Sequence, residues 1–245
     1  METVSVWEGY KKIEFDVNGR QSFIVCPEVL SDGNKWVWRT EFFGAFDSAD
    51  RALLKKGWFL AYHRVSDMYG CPDSIKMMKE FYDVAVNTYA LNKKPALFGF
   101  SRGGLYAVNF AAAYPDKTGL LYLDAPVLDI RSWPGGKGRG RGEKNCWEDC
   151  LRIYGLTEET AACFEDIPLN KAEKNAVDGI PVIIVYGDAD EDVPCNENAL
   201  LYYERYKKLS DKIEMIGKPG CAHHPHSLIQ AEPITDFIEK QIRRE

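Results

Sequence analysis

Ala96-Leu97-Phe98-Gly99-Phe100-Ser101-Arg102-Gly103-Gly104 joins a short apolar run to a segment of small and apolar residues that continues to Tyr114. The run Ala96–Phe100 has the length of a buried strand, and Arg102–Tyr114 has helical period. Ser101 therefore sits in a strand-to-helix turn. In so tight a turn, side chains two places before and after the serine would collide with neighbouring backbone, and Gly99 and Gly103 remove both. The turn lifts the hydroxyl above the sheet and points the helix N-terminus at it, where unpaired N–H groups stabilise a developing anion. A bare Gly-x-Ser-x-Gly is common by chance and often marks only a glycine-rich turn. Its place between an apolar strand and a helix is what gives it weight.

Working outward, strand-length apolar runs alternate with helical stretches. Asn18-Gly19 between Ile13–Val17 and Gln21–Cys26 signals a hairpin. Expected strands follow at Lys35–Arg39, Trp58–His63, Leu120–Asp124, Pro181–Tyr186 and Lys212–Ile216. Expected helices lie at Ser48–Lys56, Ser74–Tyr89, Asn196–Leu209 and Ile234–Arg243, the last introduced by Pro233. A hairpin followed by repeated strand–helix units predicts an α/β fold, a mostly parallel sheet with helices on both faces. At 245 residues the chain reads as one domain. No internal repeat is visible.

The stretch 131–178 interrupts the rhythm. Trp133-Pro134-Gly135-Gly136-Lys137-Gly138-Arg139-Gly140-Arg141-Gly142 carries glycine at half its positions, too many for cheap regular structure. Short helices are expected at Cys146–Tyr154 and Thr157–Glu165, with Thr157 as N-cap. So long an insertion between two sheet strands is usually functional, and it reads as a helical cap over the carboxyl edge of the sheet, where open α/β sheets bind ligands. The blander reading is a surface elaboration. Trp133 is the expected substrate contact from this cap, although tryptophans (Trp36, Trp38 and Trp147 included) are more often core. Lys137, Arg139 and Arg141 read as solvated charges on a mobile loop.

A serine hydroxyl needs a base, and the base needs an orienting carboxylate. Three of the four histidines, His223, His224 and His226, fall in Gly220–His226 after the last expected strand; His63 stands apart. The carboxylate is expected between serine and histidine in chain order. Gly187-Asp188-Ala189-Asp190-Glu191-Asp192-Val193-Pro194 offers four acids at the right edge, and Asp124, ending its strand, is a fifth candidate.

Taken together, Gly99–Gly104, Gly187–Pro194 and Gly220–His226 resemble the α/β-hydrolase superfamily, in particular its esterase, dienelactone-hydrolase-like and prolyl-oligopeptidase-like branches. The resemblance follows nearly the whole chain in element order and is specific at the three motifs. It implies Asp190, last in a Gly-x-x-Asp turn before Val193-Pro194, as the acid. It implies His223 as the base, with Ala222 where glycine is commoner and His224 as the rival. It implies Ser101 as nucleophile in a two-step acyl transfer, and Arg102 N–H as one oxyanion donor. The second donor in such proteins comes from the loop after the third strand. Here that loop is Arg39-Thr40-Glu41-Phe42-Phe43-Gly44, which lacks His-Gly-Gly and leaves Arg39 or Thr40 as candidates.

Bulk properties narrow the partners. The net charge of −6 argues against nucleic acid or an anionic membrane, and no run of apolar residues is long enough to span a bilayer. The expected client is a small-molecule or glycan ester, with no cofactor or metal. Seven scattered cysteines suit reduced thiols, and Cys146 and Cys150, one helical turn apart, lack a second ligand pair. Neither a basic n-region nor an apolar h-region follows Met1, so the expectation is a cytoplasmic protein, although a chain stripped of a leader reads the same way. A prolyl-oligopeptidase-like peptidase and a non-catalytic binder on the same fold are the alternatives. Nothing in the sequence speaks to oligomeric state.

Overall fold

The computed structural model describes residues 2–242. Nine strands form one sheet, β1 Thr3–Trp7, β2 Tyr10–Val17, β3 Arg20–Val25, β4 Trp36–Arg39, β5 Phe59–His63, β6 Ala96–Phe100, β7 Leu120–Asp124, β8 Val182–Gly187 and β9 Ile213–Lys218. Their order is β1-β2-β3-β5-β4-β6-β7-β8-β9. The first three pair antiparallel, β3 pairs antiparallel with β5, and every pairing from β5 onward is parallel. The hairpin expected at Asn18-Gly19 is present, but it belongs to a three-stranded meander. β1 was not expected. Its Val4 and Val6 are 67% and 72% exposed, so the edge strand carries no buried apolar face to signal it.

The central strands are covered on both sides. In β7, Leu121 and Leu123 enter one core while Leu120 and Tyr122 enter the other, as a period of two requires. Truncating Leu121 to alanine is worth about 2–5 kcal/mol at such a site. One face packs α2 Pro72–Asn87, α3 Gly103–Ala113, α6 Ala172–Val177 and α7 Ala199–Lys207; the other packs α1 Ser48–Lys55 and α8 Glu232–Ile242. Helix α3 is buried along its whole length apart from Ala113, which explains its small and apolar composition. Pro233 lies inside the first turn of α8 rather than before it, and Arg243, the expected end of that helix, lies outside the described residues. Among the described residues no helix is long and apolar enough to cross a membrane.

The insertion differs from the expected cap in two ways. It holds α4 Lys144–Tyr154 and α5 Glu158–Ala162, the latter capped by Thr157 as expected, with Thr157 Oγ1 accepting from Thr160 N–H. Its end, from the one-turn helix Pro168–Lys171 through α6, is part of the body: Leu169, Ala172 and Ala176 join the core shared with α3 and α7. The glycine-rich segment is likewise tied down. Arg139 N–H donates to Glu197, Arg141 N–H donates to Glu191 O, and Arg141 pairs with the Glu191 carboxylate. A Cβ on Gly140 would lie 2.8 Å from Asp192 O and 2.9 Å from Pro194 Cδ. Glycine serves close approach here, and the segment is a strap across the 190–194 turn.

Candidate active site

Because β4 to β9 run parallel, their six carboxyl ends deliver the following loops to one edge of the sheet. The turn after β6 places Ser101 in the left-handed region, φ 48°. Its N–H donates to Asp124 O at 2.9 Å and its carbonyl accepts from Val127 and Gly104 N–H, so the turn is pinned to the exit of β7. A Cβ on Gly99 would meet Ala107 Cβ and Gly103 O at 3.0 Å, and one on Gly103 would meet Thr40 Oγ1 at 3.0 Å. The glycine requirement inferred from the pattern is thus physical at both places.

The turn after β8 carries Asp190. Its Oδ1 accepts from Val193 N–H at 2.8 Å and Asp192 N–H at 3.0 Å, which fixes the carboxylate in one orientation. The other oxygen, Oδ2, lies 2.7 Å from His223 Nδ1. The loop after β9 reaches this turn through Ala189 N–H to Cys221 O and Gly220 N–H to Asp188 Oδ1. That approach is possible because residue 187 is glycine; a Cβ there would sit 2.3 Å from Cys221 O. His223 Nε2 lies 3.0 Å from Ser101 Oγ. With Nδ1 facing a carboxylate the ring proton sits on Nδ1, so Nε2 accepts from the serine hydroxyl. Ser101, His223 and Asp190, drawn from three loops, form one hydrogen-bonded chain.

A second such pair lies beside it. His226 Nδ1 is 2.7 Å from Asp124 Oδ1, and Asp124 Oδ2 accepts from Tyr122 O–H and Ser227 N–H, each at 2.8 Å. His226 is buried, and Asp124 serves it rather than His223. His224 is exposed; burial of its ring first, then the neighbouring His226 and His223 imidazoles, lower its pKa.

A cavity of about 150 Å³ opens on Ser101, walled by Phe42, Ala45, Phe46, Phe100, His223, His224 and His226. None of its lining comes from 131–178. Trp133 is half-buried against Tyr69, ring centroids 6.4 Å apart, and Trp147 is buried with its Nε1–H donated to Glu158. Neither lines this cavity. Trp36 and Trp38 stack in the core.

No protein-family model and no curated protein sequence matches the chain. Solved structures do. An esterase of Pyrococcus furiosus superposes with a TM-score of 0.61 at 16% identity, over 100% of this chain and 95% of that one. A Bacteroides ovatus protein described as a dipeptidyl aminopeptidase IV gives 0.69 at 11% identity, over 98% of this chain. A puromycin-hydrolyzing peptidase of Mycobacterium tuberculosis gives 0.63 at 14%, over 97%. The chain has the α/β-hydrolase fold. It spans only 36% and 38% of the two peptidase chains.

Within the α/β-hydrolase fold, the loop after β4 is where sequence reasoning went astray. Arg39 lies in β4, paired with Tyr62 and Phe98, and its side chain is fully buried with Nε 2.8 Å from Asp50 Oδ1 and the guanidinium 3.7 Å over the Phe100 ring. Thr40 N–H donates to Phe98 O at 3.1 Å, and its hydroxyl bonds Phe98 O and Gly103 O. Both are therefore committed to structure. Phe42 was missed. It is in the left-handed region at φ 52°, it lines the cavity, and its N–H makes no hydrogen bond among the described residues. Arg102 N–H, at the N-terminus of α3, is likewise unpaired, while the Arg102 guanidinium lies 3.3 Å from the buried Glu41 carboxylate. Burial, opposed by that guanidinium, raises the Glu41 pKa.

Proposed function

We propose that the protein is a serine hydrolase that cleaves carboxylic esters of short acyl groups on small molecules or glycans, through an acyl-enzyme on Ser101. The observation that supports this reading is the chain Ser101 Oγ to His223 Nε2 at 3.0 Å and His223 Nδ1 to Asp190 Oδ2 at 2.7 Å. Ser101 attacks the ester carbonyl while His223 Nε2 takes its proton, and Asp190 stabilises the imidazolium. The oxyanion is held by Arg102 N–H and Phe42 N–H, which replaces Arg39 or Thr40 as second donor. His223 then gives its proton to the leaving alcohol, and water, activated by the same nitrogen, frees the acid. Every step uses groups of this chain and water.

The size of the acyl group follows from the cavity. At about 150 Å³ it is well below the roughly 300–1,000 Å³ of sites for drug-sized ligands. Phe46 and His226 separate it from a wider cleft of about 910 Å³ along Ser48, Leu228 and Ile229, where the alcohol part of the ester would lie. The peptidase reading draws on two of the similar structures, each about three times the length of this chain by the share it covers. A screen of acetyl, butyryl and longer acyl esters, acetylated sugars and peptide amides tests the proposal. Turnover is expected to be highest on the short esters and absent in Ser101→Ala. Hydrolysis surviving in that variant, freed of wild-type contamination, overturns it.

A further inference from the structure

The mechanism above uses one buried histidine–carboxylate pair, and the structure builds two. The rings of His223, His224 and His226 stand edge to face, with centroids 4.8–4.9 Å apart for each pair. One ligand nitrogen from each lies within 4.8 Å of the others. Behind the two inner rings stand Asp190 and Asp124, each 2.7 Å from an Nδ1 and each held by two further hydrogen bonds on its other oxygen. A carboxylate behind a histidine fixes the tautomer and turns the Nε2 lone pair forward, which is the support that metal-binding histidines characteristically have. His226 Nε2 makes no hydrogen bond among the described residues, and its ring lines the cavity that holds Ser101. Acyl transfer gives that nitrogen nothing to do.

We propose that His223, His224 and His226 form a zinc-binding site whose occupation switches the hydrolase off. Three neutral imidazoles suit a borderline-soft divalent ion of tetrahedral preference. Zn–N bonds of about 2.0–2.1 Å bring ligand nitrogens to roughly 3.4 Å from one another, so the rings must close by more than an ångström. His224 supplies that movement, since it is exposed and stacked only on Phe46 on its outer side. A water completes the fourth position. Zinc on His223 Nε2 occupies the lone pair that otherwise accepts the Ser101 proton, so the hydroxyl stays protonated and attack stops. The loss of activity rests on the reading of His223 as base; the binding of the ion does not.

The test uses the whole protein, stripped with EDTA and dialysed, and zinc chloride as the probe. Calorimetric titration is expected to show one site of micromolar affinity. His224→Ala, an exposed change, and His226→Gln, which keeps a polar group against Asp124, are each expected to weaken it at least about tenfold. The zinc concentration that halves ester hydrolysis, referred to each protein's own metal-free rate, should move with the dissociation constant and be reversed by EDTA. No binding up to millimolar zinc, or an affinity unchanged in both variants, overturns the proposal. Reaction of metal-free Ser101 with a fluorophosphonate separates the two ideas. Labelling without zinc binding defeats only this inference, and zinc binding to an unreactive Ser101 defeats the hydrolase reading instead.

Discussion

Asp190→Asn isolates the orienting acid with almost no change of shape. The Asp190 Oδ1 position accepts two backbone N–H groups, at 2.8 and 3.0 Å, so an asparagine must keep its carbonyl oxygen there and turn its NH₂ toward His223. That NH₂ donates where the carboxylate accepted. His223 Nδ1 then becomes the acceptor, the ring proton moves to Nε2, and Nε2 no longer takes the Ser101 proton. A tautomer error of this kind costs about 10⁴ in kcat in a comparable triad, or about 5.5 kcal/mol of barrier. Folding stability should change by less than about 1 kcal/mol, because one hydrogen bond is exchanged for another of the same length. The assay is steady-state hydrolysis of a short acyl ester, with urea unfolding run alongside. A kcat within tenfold of wild type would refute the reasoning, most clearly if Asp124→Asn were the damaging change.

Gly140→Ala should lower both melting temperature and turnover. The new Cβ presses on Asp192 O and Pro194 at under 3 Å, an overpacking cost of about 1–3 kcal/mol delivered to the turn that carries Asp190; full turnover with an unchanged melting curve would mean the strap positions nothing. His63 predicts an acid sensitivity. It is buried, stacked at 5.1 Å on Phe81, and burial first, then the Arg20 charge, lower its pKa to about 4. The folded value lies below the unfolded one, so the unfolded chain binds the proton more tightly. The His63 contribution is complete above about pH 6.5 and fades as pH falls toward 4, by about 2 kcal/mol at pH 5. His63→Phe should remove that share of the fall between pH 7 and 5 in denaturant unfolding, whereas parallel curves for the two proteins would count against it.

The legible part of the molecule was carried by local rules. Gly99 and Gly103 answer a steric demand that lies within a few residues of Ser101, and the continuous apolar runs of β6, β7 and β8 follow from burial on both faces. Order along the chain then placed an acid and a histidine at the same sheet edge. What stayed hidden depends on distant neighbours. The bond between Asp124 and His226 spans 102 positions, and no spacing rule announces it. The glycines at 138 and 140 looked like freedom because the Glu197 carboxylate and Asp192 carbonyl that crowd them come from another loop. Thr40 was a plausible donor until its N–H was seen to extend the β4–β6 pairing by one residue, beyond the precision with which a strand end can be read. Phe42 is a bulky residue in a left-handed turn, a conformation that no sequence pattern flags.

The central claim is that Ser101 is the group acylated during turnover. Incubation of the metal-free protein with a fluorophosphonate, followed by mass spectrometry of the intact chain and of its peptides, tests it most directly. The account predicts one adduct per chain, on the peptide holding Gly99–Gly104, formed at a rate that drops sharply in His223→Ala and is abolished in Ser101→Ala. An adduct on another residue, or equal labelling of wild type and His223→Ala, would contradict it.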